Sequence, residues 1–291
     1  MKQQNLGRVV FWMLGALLSF SALAVSIRVL ASMLNVFEVL AVRSAFASFI
    51  LIALVYLRPQ LRHGLYPRRM TAHTARAAIH LASQYGWALA VLQLPLAMVF
   101  ALEFTSPVWI CLLAPIFLRE RMTVNRIATI VLGFAGVLII LRPGLETVQF
   151  ASLLVLAAAL GYAIFNLITK KLTGTETTFA IVFWMNILQF PMTLIFSDPL
   201  FFMHIGWERL PAAIAVGVSG LSAHFCLTKA FQSGDASVVM PFDFLRIPII
   251  AVVGWAFYGE ALDIFVFAGA AVIVAGVAWN LRAEAKYRSP T

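Results

Sequence analysis

The sequence predicts an all-α integral membrane protein of ten transmembrane helices, built as two five-helix repeats of inverted topology. Three observations carry this. Of the 291 residues, 62% are hydrophobic and 11% charged, where a soluble domain carries about a quarter charged residues. The apolar residues fall into ten stretches, each near the roughly 20 residues that a spanning helix needs. Finally, residues 101–142 align without a gap on 241–282. Glu103 meets Asp243, Phe104 meets Phe244, Phe117 meets Phe257 and Glu120 meets Glu260. Further on, Ala135-Gly136-Val137 meets Ala275-Gly276-Val277, and Leu141-Arg142 meets Leu281-Arg282. Ten of the 42 pairs are identical, more than so apolar a composition gives by chance. Five spans per repeat is an odd number, so the second repeat enters the membrane reversed, and a substrate site is expected between the two. The expected units are residues 1–145 and 146–291.

The first span, 9–30, follows Lys2 and Arg8 and contains Ala22-Leu23-Ala24, which together resemble a secretion signal. The apolar run continues to Leu30, and its removal would leave nine spans, so it is expected to stay. Span 36–57 carries Arg43 deep inside, with Glu38 nearer its end. Span 76–93 carries His80, Gln84, Tyr85 and Trp87. Span 96–118 holds Glu103, Trp109 and Cys111, interrupted by Pro107 and Pro115. Span 125–141 places Thr129, Gly133 and Gly136 on one narrow face, where another helix can approach closely.

The second half repeats the pattern. Span 150–170 offers Tyr162, Phe165 and Asn166, and 178–196 offers Trp184, Asn186 and Gln189. Span 210–231 contains His224, the repeat equivalent of Gln84, with Cys226, and Lys229 towards its end. Span 237–257 carries Asp243 and Arg246 between Pro241 and Pro248, and 264–281 closes the chain. The two cysteines do not correspond in the repeat and read as buried free thiols, with no disulfide framework.

The formal charge of +9 is a topology signal, with no nucleic-acid partner implied. Fifteen basic residues lie at what would be the inner ends: Lys2, Arg8, Arg58, Arg62, Arg68, Arg69, Arg76, Arg119, Arg121, Arg126, Lys170, Lys171, Arg282, Lys286 and Arg288. Only Arg142 and Arg209 lie in the outer loops. That asymmetry predicts both termini in the cytoplasm of a bacterial-type inner membrane.

Two junctions, Phe117-Leu118-Arg119-Glu120-Arg121-Met122 and Phe257-Tyr258-Gly259-Glu260-Ala261-Leu262, are each followed by a glycine-bearing helix. In these features the chain resembles the drug/metabolite transporter superfamily, specifically its ten-helix EamA-type members, over essentially its whole length. That family commonly has Leu-Gly-Glu at these junctions, and Arg119 departs from it. Read as residues alone, Glu120 and Glu260 sit where a carboxylate accepts from orphan N–H groups at the next helix start.

Charges inside spans cost about 2.5–3.5 kcal/mol each, so each needs a partner or a cavity. Asp243 and Arg246 are three apart and can pair, while Glu103 is neutralised by Arg43 or Arg246 from across the bundle or else faces water. Prolines beside the two acids free backbone carbonyls that a cavity can hydrate, which makes Pro107, Pro115, Pro241 and Pro248 candidate hinges. The candidate substrate site is therefore Glu103, Asp243, Arg43, Arg246, Tyr85, Trp109, Tyr162, Asn166, His80 and His224. An acid for an ammonium group and a guanidinium for a carboxylate suit a zwitterionic, partly apolar solute.

No Gly-x-x-x-x-Gly-Lys-Ser/Thr motif occurs, so ATP is not the direct energy source. No cofactor or metal site is expected, the partners are a small-molecule substrate and membrane lipid, and a monomer is expected. Gly217-Val218-Ser219-Gly220 raises the remote alternative of an intramembrane serine protease. The resemblance, with the pocket chemistry, implies a secondary transporter, first of all an exporter of aromatic or apolar amino acids. The alternative is uptake or exchange of a larger aromatic metabolite, such as S-adenosylmethionine or a riboflavin-like vitamin.

Overall fold

A computed structural model describes residues 5–91, 93–94, 96–142, 150–198, 200–259 and 264–286. All regular structure in them is helical. In the first repeat the helices are α1 (Leu6–Leu30), α2 (Val36–Leu57), α3 (Met70–Val91), α4 (Leu96–Glu103), α5 (Ser106–Leu118) and α6 (Val124–Leu141). In the second they are α7 (Phe150–Leu172), α8 (Thr178–Leu194), α9 (Leu210–Ser233), α10 (Ala236–Val239), α11 (Arg246–Tyr258) and α12 (Ile264–Lys286). Their starts obey capping chemistry. The Asn5, Thr123 and Thr177 side chains accept from the N–H groups of Arg8, Arg126 and Ala180. Asn35 and Glu38 form a reciprocal capping box on α2, which is why an acid stands at that end.

The repeat is visible helix by helix. Residues 140 apart open α3 and α9 (Met70, Leu210), bound α5 and α11 (Ser106 and Leu118; Arg246 and Tyr258), and open α6 and α12 (Val124, Ile264). Helices α5 and α11 even end alike. Arg119 adopts φ 57° and Gly259 φ 66°, each donating its N–H back to the equivalent carbonyl, that of Ala114 or Gly254. The arginine therefore keeps the glycine's left-handed backbone, at a strain cost of about 1 kcal/mol.

Packing follows the same symmetry. Helix α1 lies on α9 and its counterpart α7 lies on α3, while α6 packs on α12 and α2 on α8 across the pseudo-two-fold. The α6–α12 seam is the expected small-residue face. A Cβ on Gly136 would come within 2.7 Å of the Gly269 carbonyl, and the Thr129 hydroxyl donates to the Gly276 carbonyl at 3.2 Å. Backbone approach this close supplies the dispersion contact that lipid cannot.

Among the described residues eight segments are long and apolar enough to cross a membrane. Of the ten expected spans, the remaining two are α3, which is long but polar, and α8, which has 17 residues. The polarity of α3 has a physical cause: it turns Arg76 and His80 inward, both buried, and α8 faces them with buried Asn186 and Gln189. The protein is a multi-pass membrane protein, and α3, its least apolar long helix, turns its polar side chains to the interior.

Candidate functional site

The fourth and ninth spans are both broken, at equivalent places. Helix α4 stops at Glu103, Phe104 and Thr105 form a turn, and α5 restarts with Pro107 in its first turn. In the ninth span α10 gives way to a 3₁₀ segment, Met240–Leu245, with Pro241 in its first turn, before α11 begins at Arg246. Pro107 has no N–H to donate to the Glu103 carbonyl, and Pro241 none for that of Ser237, so the α-ladder cannot run through either break. Pro248 lies in the first turn of α11, where a missing donor costs nothing. Of these four prolines, Pro115 alone stands within a continuing helix. The expected kinks at Pro107 and Pro241 are full interruptions, and those at Pro115 and Pro248 are not.

The breaks bring three charges together. Arg246 Nη2 lies 2.8 Å from Glu103 Oε1 and 3.5 Å from Asp243 Oδ2. Its guanidinium also sits 4.8 Å from the Phe104 ring centre and 5.6 Å from that of Phe20. The Glu103, Asp243 and Arg246 side chains stay 12%, 18% and 20% exposed, so they border accessible space. Two carboxylates against one guanidinium give the cluster one net negative charge.

A second pole has the opposite sign. Arg43 on α2 is 4% exposed, and its Nη2 donates to Gln189 Oε1 at 3.4 Å. With the Gln84 amide oxygen turned towards it, Nη1 and Nη2 both lie 3.2 Å from that atom. Among the described residues no carboxylate reaches Arg43, and its Nε has no partner. Gln189 Nε2 also donates to His80 Nδ1 at 2.8 Å, since an amide N–H can only donate. A buried guanidinium held only by amides leaves its charge unbalanced, an arrangement that favours a ligand with acceptor oxygens.

Aromatic rings bridge the two poles. His80 stacks on Phe165 at 4.2 Å and meets His224 edge-on at 5.3 Å, and Tyr162 lies 5.8 Å from His80. His224 in turn meets Phe20 at 5.8 Å, the ring over which Arg246 sits. The path from Arg43 through Gln189, His80, His224 and Phe20 to Arg246 is thus continuous and draws on both repeats. Among the described residues, Trp109 Nε1, a buried donor, and Asn166 Oδ1, a buried acceptor, have no hydrogen-bond partner.

Three sequence expectations land elsewhere. Tyr85 stands apart in an aromatic cluster with Phe37 (4.4 Å) and Phe196 (4.8 Å), because it faces about 100° away from Gln84 on the same helix. Glu120 caps a helix of the opposite repeat instead of the next one. It accepts from Ala236 N–H (2.7 Å), Ser237 N–H (3.0 Å) and the Ser237 hydroxyl (2.6 Å) at the start of α10. Glu260, its counterpart, lies outside the described residues. The Gly217–Gly220 motif is packing: Ser219 donates to the Ala215 carbonyl at 2.5 Å, and the glycines make room for Phe46 and Arg43.

Sequence reasoning missed Arg76. It reads as an interfacial positive charge, yet it is 1% exposed, donates to the Ile181 carbonyl at 2.9 Å and lies 5.0 Å from the Phe165 ring centre. The signal was its spacing, since Arg76, His80 and Gln84 recur every four residues and share a helix face. Arg126, counted the same way, is 4% exposed and bridges Glu284 (2.7 Å), Asp235 (3.1 Å) and Ser237 (2.8 Å).

Comparisons with known proteins agree with this architecture. A riboflavin transporter of Rhizobium johnstonii is 32% identical over 75% of this chain and 72% of its own length. A riboflavin transporter of Vibrio cholerae is also 32% identical, over 83% and 82%. An S-adenosylmethionine uptake transporter of Rickettsia felis is 27% identical over 96% and 94%. A protein of known crystal structure superposes with a TM-score of 0.78 at 16% identity, covering 97% of this chain and 99% of that one, which shows a shared fold alone. The model of the EamA-like transporter family matches twice, at residues 7–142 and 149–282. This chain therefore belongs to the EamA-like transporter family.

Proposed function

We propose that the protein is a secondary transporter of a riboflavin-like flavin, carried through the polar interior between Arg43 and the Glu103–Asp243–Arg246 cluster. The observation that carries this is Arg43, a buried guanidinium held by two amides and balanced by no described acid. A flavin's pyrimidine edge presents carbonyl acceptors on either side of an N–H. A guanidinium flanked by glutamine amides supplies the matching donors and acceptors without requiring a full negative charge. The ring walls of His80, Phe165, Tyr162 and Phe20 suit a flat aromatic system, and Trp109 and Asn166 offer unused partners for a polyol chain. The riboflavin transporters among its relatives support this reading over the amino-acid export that heads the sequence expectation.

A second reading rests on the acidic pole. Glu103 and Asp243 exceed Arg246 by one charge, and a sulfonium or ammonium cation would balance it, as S-adenosylmethionine would. The named uptake transporters at lower identity support it. The deciding experiment offers labelled riboflavin, S-adenosylmethionine and a panel of amino acids to the protein in liposomes. Saturable riboflavin flux, with weaker competition from the others, supports the first reading. Flux of S-adenosylmethionine alone establishes the second, and flux of amino acids alone refutes both.

The basic asymmetry supports an orientation with both termini in the cytoplasm of an inner membrane. A cysteine near Arg62 should then be shielded from an impermeant thiol reagent on cells, and one near Met203 labelled. Reversed labelling overturns the orientation.

A further inference from the structure

Where α1 begins and α9 ends, Asn5, Arg8, Phe11, Trp12, Lys229 and Gln232 border an open cavity of about 620 Å³. It lies apart from the interior site, on the seam between the two repeats. Arg8 and Lys229 both face it, and neither has a carboxylate partner among the described residues. The wall beneath them is aromatic. Trp12 meets Phe11 at 5.1 Å and Phe225 at 6.0 Å, and the Lys229 ammonium lies 5.8 Å from the Phe225 ring centre. Phe11 is 66% exposed and lies about one turn further along α1 than Arg8.

The cavity is therefore graded. It has at its rim two amides and two cations that no described carboxylate pairs, with large aromatic surface one turn deeper. A small soluble anion would use only the rim. An amphiphile uses both levels, because phosphate oxygens accept from the cations while the first methylenes of its chains cover Phe11 and Trp12. We infer that this cavity is a binding site for an anionic phospholipid. Arg8 and Lys229 hold the phosphate, Asn5 and Gln232 hydrogen-bond the glycerol or headgroup hydroxyls, and the lipid bridges α1 of one repeat to α9 of the other. The assignment is independent of which solute is transported.

The test uses the full-length protein in detergent, with its lipid removed. Added phosphatidylglycerol should raise the thermal midpoint by at least about 3 °C, as a ligand selective for the folded state does, while phosphatidylcholine should not. The gain should vanish in R8Q/K229Q and persist in R68Q/R69Q, whose arginines are exposed but lie in the α2–α3 connection. Loss of the gain in both variants, its survival in R8Q/K229Q, or no gain at all overturns the site. A gain reproduced by inorganic phosphate alone would show an anion site and overturn the lipid assignment. Should the double variant not fold, lipid adducts in native mass spectra decide. Fewer retained phosphatidylglycerol molecules on Lys229→Gln than on the natural protein support the site, and equal numbers refute it.

Discussion

At Arg246 two carboxylates surround one guanidinium, while at Arg43 two amides surround another with no described carboxylate to balance it. The two positions should therefore respond differently to substitution. Arg43→Gln removes the charged donor and should weaken flavin binding at least about tenfold, since a hydrogen bond from a charged group is worth about 1.5–3 kcal/mol. Glu103→Gln cancels the net negative charge, which should abolish affinity for a cationic sulfonium yet leave an uncharged flavin within a few-fold. Measured for both solutes, the pair of variants separates the two transport readings. Gly220→Ala tests the same arginine from its other side, because a Cβ there would lie 2.9 Å from Arg43 Cδ. It should lower affinity like Arg43→Gln, at a stability cost of about 1–3 kcal/mol. Unchanged binding would show that Arg43 does not need its observed position. At this scale the sequence was informative wherever a charge stood deep in an apolar span, as with Arg43, Glu103, Asp243 and Arg246. Near a span's end the same residue types became ambiguous. Arg76 and Arg126 read as interfacial charges, because only tertiary packing shows that neighbouring helices cover them.

The elements that matter most are the two interrupted spans. Prolines 107 and 241 marked the right places, but a proline pattern alone does not distinguish a kink from a break. The turn at Phe104 and Thr105 contains no glycine or proline of its own, so its full interruption was not legible. The cap on α10 was partly so: Glu120 was recognisable as a capping acid, but its helix lies 116 residues away in the other repeat. Glu120→Gln keeps one acceptor and loses the charge that three donors share. It should destabilise the protein by about 2 kcal/mol, read as a lowered thermal midpoint, with a larger loss in Glu120→Ala. An unchanged midpoint in both would mean that the α10 start is satisfied otherwise. Arg119→Gly should move the midpoint upward, because it relieves a left-handed backbone that Gly259 adopts freely at the equivalent position.

Over the whole molecule, the offset of 140 residues makes the two-repeat architecture legible in the sequence, since repeated charges and glycines are rare enough in an apolar chain to align it. Composition located most of the membrane helices. Helix α3 is the least apolar of them, because its Arg76 and His80 face the interior. The polar path from Arg43 to Arg246 crosses both repeats; the repeat pointed to His224, and no linear pattern could show that Phe20 completes it. That path is the centre of the functional account, and flavin fluorescence reports on it directly, because emission is quenched when the ring system stacks against aromatic side chains. Purified protein titrated with riboflavin should quench it saturably, with affinity weakened about tenfold or more in Arg43→Gln and restored in part by Arg43→Lys. Saturable quenching of equal affinity in the natural protein and in Arg43→Gln would place the ligand elsewhere and contradict the interior site.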